Sequence, residues 1–425
     1  MGEIDRRQLL RGSVAAGVAA AFSLRGRDTR ADAIACPPLA HATPAIAYSE
    51  LANKTSADRF LRWLRTDGVS HQQPVENLVH NFVDATTRAG TWIYPMLCGK
   101  TMLWFARRGQ FGEAAAIAET LLDWQQLSAD GKHARSYGAF PSQIDLAPDG
   151  TWKAADYYYS SDNLVILDAL LAVHAATKND ALLNAAIGIG TWLTEVMCKG
   201  HTLGMWTEDH GAPMFMVRGS GDFANEIHAA GEMLWIGALH RLGTATNEQA
   251  YCRQAERALK FYLGGQLQSG AFLDHYDPGY PPKPYDAGRW APVHPGQIIA
   301  DSFLRSVLGA CKWGELARAR KAFEWLKVES GAVPAYLSLE TGSSGFPKGQ
   351  NTYYDLTSSA LHRTVAQWLG ERAAAVADQQ LLDKLQHSSG GWYWGVFKNG
   401  FAPVDNRLAP IVGLWATADL SIEVE

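Results

Sequence analysis

The stretch LQSGAFLDHYDPG, at residues 267–279, combines a glycine with aromatic, acidic and histidine side chains, as surface loops often do. Related stretches occur elsewhere in the chain: SYGAFPSQIDLAPDG at 136–150, TLGMWTEDHG at 202–211, SGAVPAYLSLETG at 330–342 and SGGWYWGVFKNG at 389–400. The glycines that open them, Gly138, Gly204, Gly270, Gly331 and Gly391, are separated by 66, 66, 61 and 60 residues. A near-constant period indicates a repeated supersecondary unit.

Each repeat is expected to contain two helices of different character. The first is apolar on nearly every side, which is typical of a helix buried inside a larger protein; these segments lie at 93–109, 160–177, 225–243, 294–310, 353–370 and 404–420. The second has one polar face and is expected to cover the first; these lie at 75–89, 111–127, 180–198, 247–263, 314–328 and 371–386. Pro410 lies inside the last apolar segment, so that helix should begin late or kink.

Six buried and six amphipathic helices in alternation predict an all-α (α/α)6 toroid, in which inner helices form a ring and outer helices surround it. The pattern resembles the six-hairpin glycosidase superfamily over roughly residues 50–420. The resemblance is architectural, without a family-specific catalytic motif. It implies an enzyme that acts on carbohydrates, since that superfamily includes glycoside hydrolases, polysaccharide lyases and sugar epimerases. An open solenoid is the alternative, but its helical repeats are usually about 34–47 residues long.

The N-terminal residues are expected to lie outside this fold. Arg6 and Arg7 precede a weakly apolar run that ends at Leu24, a pattern that resembles a twin-arginine export signal. The run is shorter than the ~20 residues of a membrane span. We therefore expect a signal peptide and leader at 1–42, a single toroid domain at 43–425, and a periplasmic or secreted protein without a stable membrane span. Cleavage is expected after Ala33 or Ala42.

Composition narrows the range of partners. The net charge of −5 and the lack of a basic stripe argue against nucleic acid as a partner. The five cysteines show no CxxC pair, so neither a zinc signature nor a disulfide framework is predicted. The sequence contains no motif for an organic cofactor or a D-x-D-x-D-G metal loop, and we expect no cofactor. The oligomeric state is left open.

The long connections run from each outer helix to the next inner helix, so they are expected at one mouth of the ring. Long loops in a compact domain are usually functional, and these carry many aromatic residues. Flat aromatic faces can stack on sugar rings, although each of these residues could instead pin its own loop. The candidates for stacking on substrate are Trp152, Tyr159, Trp206, Trp290, Tyr354, Trp392 and Trp394.

Acids recur near the starts of the inner helices. Asp162, Glu226 and Asp355 are the candidate catalytic carboxylates, because a pair of them could act as general acid and as base or nucleophile on a glycosidic bond. Each could equally cap its helix, since an acid near a helix N-terminus accepts hydrogen bonds from the free backbone N–H groups there. Glu208 and Asp209 are further candidates in a mouth loop.

Two other functions remain open at this stage. A lyase or C5-epimerase acting on a uronate polymer would need a cation such as Arg289 and proton-transfer groups such as His294 and Tyr354. A glycan-binding protein without catalysis would use the same aromatic loops. We place hydrolysis of a polysaccharide or oligosaccharide first.

Overall fold

The computed structural model describes residues 36, 39–127, 136–195, 205–219, 224, 226–279, 283–292, 294–326, 328, 331–339, 353–422 and 424. Nearly all of the expected signal peptide and the repeat glycine Gly204 lie outside these residues. The helices of the described ranges confirm the (α/α)6 toroid.

The outer helices are α1 (Lys54–Trp63), α3 (Phe111–Leu122), α5 (Asp180–Thr194), α8 (Gln249–Leu263), α10 (Leu316–Leu326) and α12 (Arg372–Leu385). The inner helices are α2 (Pro95–Arg107), α4 (Ser160–Thr177), α6 with α7 (Ala230–Trp235 and Gly237–Thr246), α9 (Ala300–Lys312), α11 (Leu356–Leu369) and α13 (Pro410–Ala416). Each inner helix packs on the next, from α2 through α13, and α13 packs back on α2. This cyclic order makes the ring.

The inner helices are buried because their side chains are apolar on most sides. In α4 nearly every residue from Ser160 to Val173 is buried. The outer helix α5 follows, and Asn179 caps it because its Oδ1 accepts a hydrogen bond from Ala181 N at 3.1 Å. Pro410 is the first residue of α13, so that helix begins late and does not kink.

The prediction of an outer helix at 75–89 is wrong. Asn77 and Arg88 have positive φ angles of 69° and 59°, which a right-handed helix cannot contain. The segment instead forms turns and a short strand, and α1 takes the place of the first outer helix. The third inner helix also begins later than expected and is divided at Ile236.

Short strands pair within the mouth loops and between the mouth loops of neighbouring repeats. They are β1 (Val83–Asp84), β2 (Ile144–Leu146), β3 (Trp152–Ala154), β4 (Tyr158–Tyr159), β5 (Trp206–Thr207), β6 (Ala212–Pro213), β7 (Met216–Val217), β8 (Ile227–His228), β9 (His275–Tyr276), β10 (Trp290–Ala291), β11 (Gln297–Ile299), β12 (Tyr336–Ser338), β13 (Tyr353–Asp355), β14 (Gly395–Phe397) and β15 (Arg407–Leu408). The antiparallel pairs are β2–β3, β4–β7, β5–β6, β8–β9, β9–β10, β11–β12, β13–β14 and β1–β15. The last pair joins the first and last repeats, with Val83 opposite Leu408.

The repeated glycines have a common structural role. Gly138, Gly270, Gly331 and Gly390 all have positive φ, and each lies against the backbone of the outer helix in the following repeat. A Cβ on Gly138 would lie 2.4 Å from Gly188 O in α5, and one on Gly390 would lie 2.4 Å from Arg59 O in α1. The contact of Gly390 closes the ring. In the last repeat the structurally equivalent glycine is therefore Gly390, one residue before the Gly391 of the sequence period.

A glutamine near the end of three outer helices reinforces these junctions. Its side-chain amide donates to the carbonyl of the repeated glycine and to a carbonyl of the next outer helix. Gln125 bonds Gly138 and Ala185 at 2.7 and 3.0 Å, Gln266 bonds Gly270 and Arg318 at 3.1 and 2.9 Å, and Gln386 bonds Gly390 and Ser56 at 2.8 and 2.9 Å.

The N-terminal segment, residues 39–46, crosses the end of the toroid opposite the mouth. Ala42 N donates to Lys312 O at 3.1 Å, and Ile46 N donates to Gln367 O at 3.1 Å, so the segment covers the ends of α9 and α11. Cys36, just before it, forms a disulfide with Cys252 of α8. The sequence did not predict this disulfide, because two cysteines 216 positions apart show no recognisable spacing. Among the described residues, no helix is both long and apolar enough for a membrane span.

Candidate active site

The starts of four inner helices surround a cavity of about 170 Å³ at the mouth of the toroid. Its lining comes from the residue before α2, from the first turns of α4, α6 and α9, and from the loops that precede α6. The lining residues are Tyr94, Tyr159, Ser161, Asp162, Phe215, His228, Ala230, Gly231, Ser302 and Arg305. Asp162 and Tyr159, both selected from the sequence, lie in this cavity.

Asp162 is the carboxyl group of the cavity. It lies in the first turn of α4 with 2% of its surface exposed, and the Tyr94 hydroxyl donates to its Oδ1 at 3.2 Å. Burial raises the pKa of Asp162 to about 6, while the Ser142 and Tyr94 hydroxyls and nearby cations oppose the rise. A carboxyl group with a pKa near neutrality can both hold and donate a proton.

Arg305 adds a cation to the lining of the cavity. It lies one turn after Asp301 in α9, and the two side chains form an ion pair at 2.5 Å. The charge of Arg305 lowers the pKa of Asp162, so the guanidinium group acts on the carboxyl group electrostatically. Its planar donors suit an oxygen-rich ligand.

A stack of three rings forms an aromatic wall. The Phe215 ring lies between Tyr159 and His228, with centroid distances of 4.8 and 4.4 Å. Burial, followed by the charges of His275 and Arg305, lowers the pKa of His228 to about 3. The His228 imidazole is therefore neutral at physiological pH and contributes to the wall as an uncharged ring.

Glu226 lies beside this wall. It precedes β8, four residues before α6 begins, so it does not start the inner helix as expected. Its Oε2 lies 3.0 Å from Nδ1 of His275, and both side chains are partly exposed. Besides burial, the charges of Asp162 and Glu226 both raise the pKa of Tyr159, so Tyr159 lies within electrostatic range of both carboxylates.

Asp355 is a helix cap in this structure. Its two carboxylate oxygens accept from Thr357 N at 3.1 Å and from Ser358 N at 3.0 Å, and the Ser358 hydroxyl also donates to it. Burial and the charge of Asp301 raise the pKa of Asp355 to about 6. Both oxygens are thus already engaged, which makes Asp355 a weaker candidate for catalysis than Asp162.

Three of the tryptophans expected to stack on substrate are core residues. Trp206, Trp290 and Trp392 are exposed by 0%, 7% and 0%. Trp392 Nε1 donates to Leu382 O at 2.7 Å, and Trp290 packs among the rings of Phe261 and Tyr276. Their faces are covered by protein, which disfavours the predicted contact of these three tryptophans with substrate.

The remaining aromatic candidates are only partly buried. Trp394 donates from Nε1 to Asp405 Oδ1 at 2.9 Å and has the Arg407 guanidinium 5.6 Å from its ring. Tyr354 lies in β13 with its ring 6.0 Å from that of Phe401, and Trp152 lies in β3. None of these three lines the cavity of the described residues.

The charged loop candidates lie apart from the cavity lining. Glu208 is exposed and pairs with Arg257 of the outer helix α8 at 2.9 Å, and Asp209 next to it is also exposed. Arg289 donates to Asp277 O at 3.1 Å on a surface loop, and His294 is exposed beside Tyr336. In the part of the chain that the structure describes, the cavity's cation is Arg305 and not Arg289.

Sequence reasoning missed Tyr94, Phe215, His228 and Arg305. One signal was available for Tyr94, because it stands directly before α2 as Tyr159 stands directly before α4. Phe215 and His228 come from loops without a comparable pattern. Asp301 and Arg305 form an i,i+4 pair that resembles any surface ion pair until the helix is known to be an inner one.

No family model and no curated protein matches this sequence. Solved structures do match its fold. D-mannose isomerase is 12% identical with a TM-score of 0.66, and the match covers 88% of this chain and 98% of that one. Cellobiose 2-epimerase from Bacillus thermoamylovorans B4167 is 10% identical with a TM-score of 0.59, over 86% and 99% of the two chains.

A reducing-end-xylose releasing exo-oligoxylanase is also similar, at 12% identity and a TM-score of 0.59, over 89% of this chain and 94% of that one. At such low identities these likenesses establish the toroidal fold and leave the activity of this chain to its own residues.

Proposed function

We propose that this chain is a carbohydrate-active enzyme that cleaves glycosidic bonds, with Asp162 as the general acid. The observation that carries the proposal is a buried carboxyl group with a pKa of about 6 in a cavity at the mouth of an (α/α)6 toroid. Solved structures with this fold include a D-mannose isomerase, a cellobiose 2-epimerase and an oligoxylanase, all named for sugars, which supports a carbohydrate as substrate.

The role of general acid follows from the surroundings of Asp162. Below its pKa the carboxyl group carries a proton that it can give to the oxygen of a departing sugar. The Tyr94 hydroxyl, 3.2 Å from Oδ1, holds the group in place and stabilises the carboxylate that remains. Arg305 adds a positive charge that stabilises the same product of proton transfer.

Glu226 is the proposed second carboxylate. It is partly exposed, and its Oε2 lies 3.0 Å from His275 Nδ1, which can orient it. Its charge and that of Asp162 both raise the pKa of Tyr159, so Tyr159 is within electrostatic range of both carboxylates. In this position it would act as base toward water or as nucleophile toward the sugar. The spacing of the two carboxyl groups would then set inversion or retention.

The substrate unit held by the cavity is proposed to be one sugar ring. A volume of about 170 Å³ is below the roughly 300–1,000 Å³ typical of pockets for larger ligands. The Phe215 and Tyr159 rings offer an apolar face, and Asp162, Ser161 and Arg305 offer polar groups for hydroxyls.

We also propose export by the twin-arginine pathway. Arg6 and Arg7 with the following apolar run support it. The Cys36–Cys252 disulfide adds support, because such bonds persist mainly in oxidising compartments outside the cytosol.

Proton transfer at a carbon next to a carboxylate or carbonyl group is the second candidate. The observation that favours it is Arg305, which faces the same cavity as Tyr94 and His228. In a C5-epimerase or lyase, Arg305 would neutralise the substrate's charged group while a neighbouring residue removed the proton. In this candidate the cavity residues Arg305, Tyr94 and His228 replace Arg289, His294 and Tyr354, which the sequence suggested for the same roles.

One assay separates the two candidates. The purified chain is incubated with a panel of neutral and uronic oligosaccharides in D2O, and reducing ends, near-ultraviolet absorbance and deuterium in the recovered sugar are followed. New reducing ends without absorbance or deuterium at carbon would support hydrolysis. Absorbance that rises with the reducing ends would identify a lyase, and deuterium at carbon without cleavage an epimerase. Binding without any turnover would contradict both.

Replacing Phe215 by Ala should raise KM about 3–10-fold, because a stacked ring contributes roughly 0.5–1.5 kcal/mol. The matched comparison is Trp206→Phe, a change to a buried ring that should lower the free energy of unfolding and leave KM unchanged. Steady-state kinetics and urea unfolding of both variants provide the check. An unchanged KM in Phe215→Ala, or a raised one in Trp206→Phe, would show that the binding surface lies elsewhere.

A further inference from the structure

A second group of reactive side chains lies at the end of the toroid opposite the mouth. Cys36, Cys252 and His240 each direct one ligand atom into the same space, and these three atoms lie within 4.8 Å of one another. Two are the sulfurs of the disulfide and the third is an imidazole nitrogen. The group is separate from the cavity around Asp162.

The packing of α7 on α8 brings His240 and Cys252 together. A Cβ on Gly243 would lie 2.5 Å from Cys252 Sγ, so glycine at this position is what permits the close approach of the two helices. Cys252 and His240 are exposed by only 2% and 8%. Cys36 reaches them from the N-terminal segment, with its Cα 6.1 Å from that of Cys252.

Two cysteines and a histidine are also a zinc donor set. Two thiolates bound to one tetrahedral zinc ion at ~2.3 Å lie roughly 3.7 Å apart, and an imidazole ligand lies at a similar distance from each. The 4.8 Å span of the three ligand atoms can accommodate such an ion once the disulfide is reduced.

We propose that the reduced chain binds one zinc ion through the thiolates of Cys36 and Cys252 and the imidazole of His240. The disulfide is then the oxidised, metal-free state of the same site. Like the disulfide, the zinc ion links the N-terminal segment to α8.

The ion has a route to this site and room for a fourth ligand. His240 lines an open groove of about 430 Å³, which His41 and His174 also line. Water from this groove can complete the tetrahedron.

The two states interconvert with balanced chemistry. Zinc binding converts two thiols into thiolates and releases two protons. Oxidation by a disulfide reagent such as oxidised glutathione removes two electrons from the two thiolates, forms the sulfur–sulfur bond and frees Zn²⁺, while the reagent becomes two thiols. Metal binding and disulfide formation therefore exclude each other.

The test uses the full chain, treated with a phosphine reductant and freed of metal with a chelator. Cobalt(II) is titrated as a spectroscopic probe, and zinc is then added in competition. We expect one cobalt per chain with a sulfur-to-cobalt charge-transfer band, displacement by zinc, and no band after oxidation with glutathione disulfide. A reduced chain that takes up no metal, or an oxidised chain that takes up as much, would overturn the proposal.

Substitutions locate the site. Cys36 lies outside the helices and His240 lies within α7. Cys36→Ser and His240→Gln should each weaken metal binding by at least about 10–100-fold. Cys36→Ser should also lower the intensity of the charge-transfer band. His174→Gln, in the same groove, is the control and should bind cobalt with an unchanged charge-transfer band. Equal binding by wild type and Cys36→Ser would show that the metal is held elsewhere and would refute the site.

Discussion

Replacing Asp162 by Asn should lower kcat/KM by a factor of about 10²–10⁴, since removal of a positioned acid or base costs about that much. Asparagine keeps the size of the side chain and can still bond with Tyr94, so the fold should remain intact. The control is Asp149→Asn, the same change at an exposed turn between β2 and β3. Kinetics on an active substrate and circular dichroism of both variants give the check.

The pH dependence distinguishes loss of the acid from loss of binding. Because burial raises the pKa of Asp162 to about 6, the protonated form declines above that pH, and kcat/KM should fall about tenfold per unit there. In Asp162→Asn this limb should disappear from the residual activity. A variant with wild-type activity and only reduced thermal stability would mean that Asp162 is a structural residue of α4.

The same pKa shift has a consequence for stability. Between the ordinary value of 3.8 and the folded value of about 6, the folded chain binds more protons at Asp162 than the unfolded chain does. The free energy of unfolding should therefore decrease as pH rises through this window. Asp162→Asn should remove only its own part of that decrease, because Asp355 and Glu232 are also buried carboxyl groups, with pKa values raised to about 6 and about 8.

Gly390→Ala is expected to have the largest effect on stability, a loss of about 2–6 kcal/mol. The residue has a φ of 115°, which costs a residue with a side chain roughly 1–3 kcal/mol. The new Cβ would also lie 2.4 Å from Arg59 O in α1, and overpacking against the backbone adds roughly 1–3 kcal/mol. Because this contact helps to close the ring, its disruption should weaken the junction between the first and last repeats.

Gly400→Ala is the matched control for this prediction. Gly400 also has positive φ, 78°, but no heavy atom lies within 4 Å of its Cβ position, so only the backbone strain remains. Urea unfolding of the two variants measures the difference. If Gly390→Ala were no less stable than Gly400→Ala, the close contact with α1 would not be important for the fold.

Much of the fold was predictable because it depends on local patterns. The period of the glycines reflects a contact that recurs in the described repeats, in which a glycine such as Gly138 or Gly270 touches the backbone of the next outer helix. The apolar segments became the inner helices. The exception was 75–89, where residues with positive φ interrupt an apparently amphipathic pattern, and nothing in the spacing of apolar residues reveals a backbone angle.

The candidate site was predictable only in part. Asp162 and Tyr159 were found because they stand at the start of an inner helix, and all inner helices start at the mouth. Trp206 and Trp392 were assigned to substrate because loop aromatics resemble stacking residues, yet both are buried. Whether an aromatic ring in a loop faces solvent or the core depends on the neighbouring repeat, which lies about 60 residues away in sequence.

By itself, the sequence determined the class of fold, the number of repeats, the end of the ring that carries the long loops, and one buried acid at that end. These follow from periodicity and from helix starts, which are properties of neighbouring residues. Only the tertiary structure decided that Arg305, Phe215 and His228 meet Asp162, that Gly390 closes the ring on α1, and that Cys36 reaches Cys252 and His240. Each of these depends on packing between segments distant in the chain, where spacing carries no information about which side chains will meet.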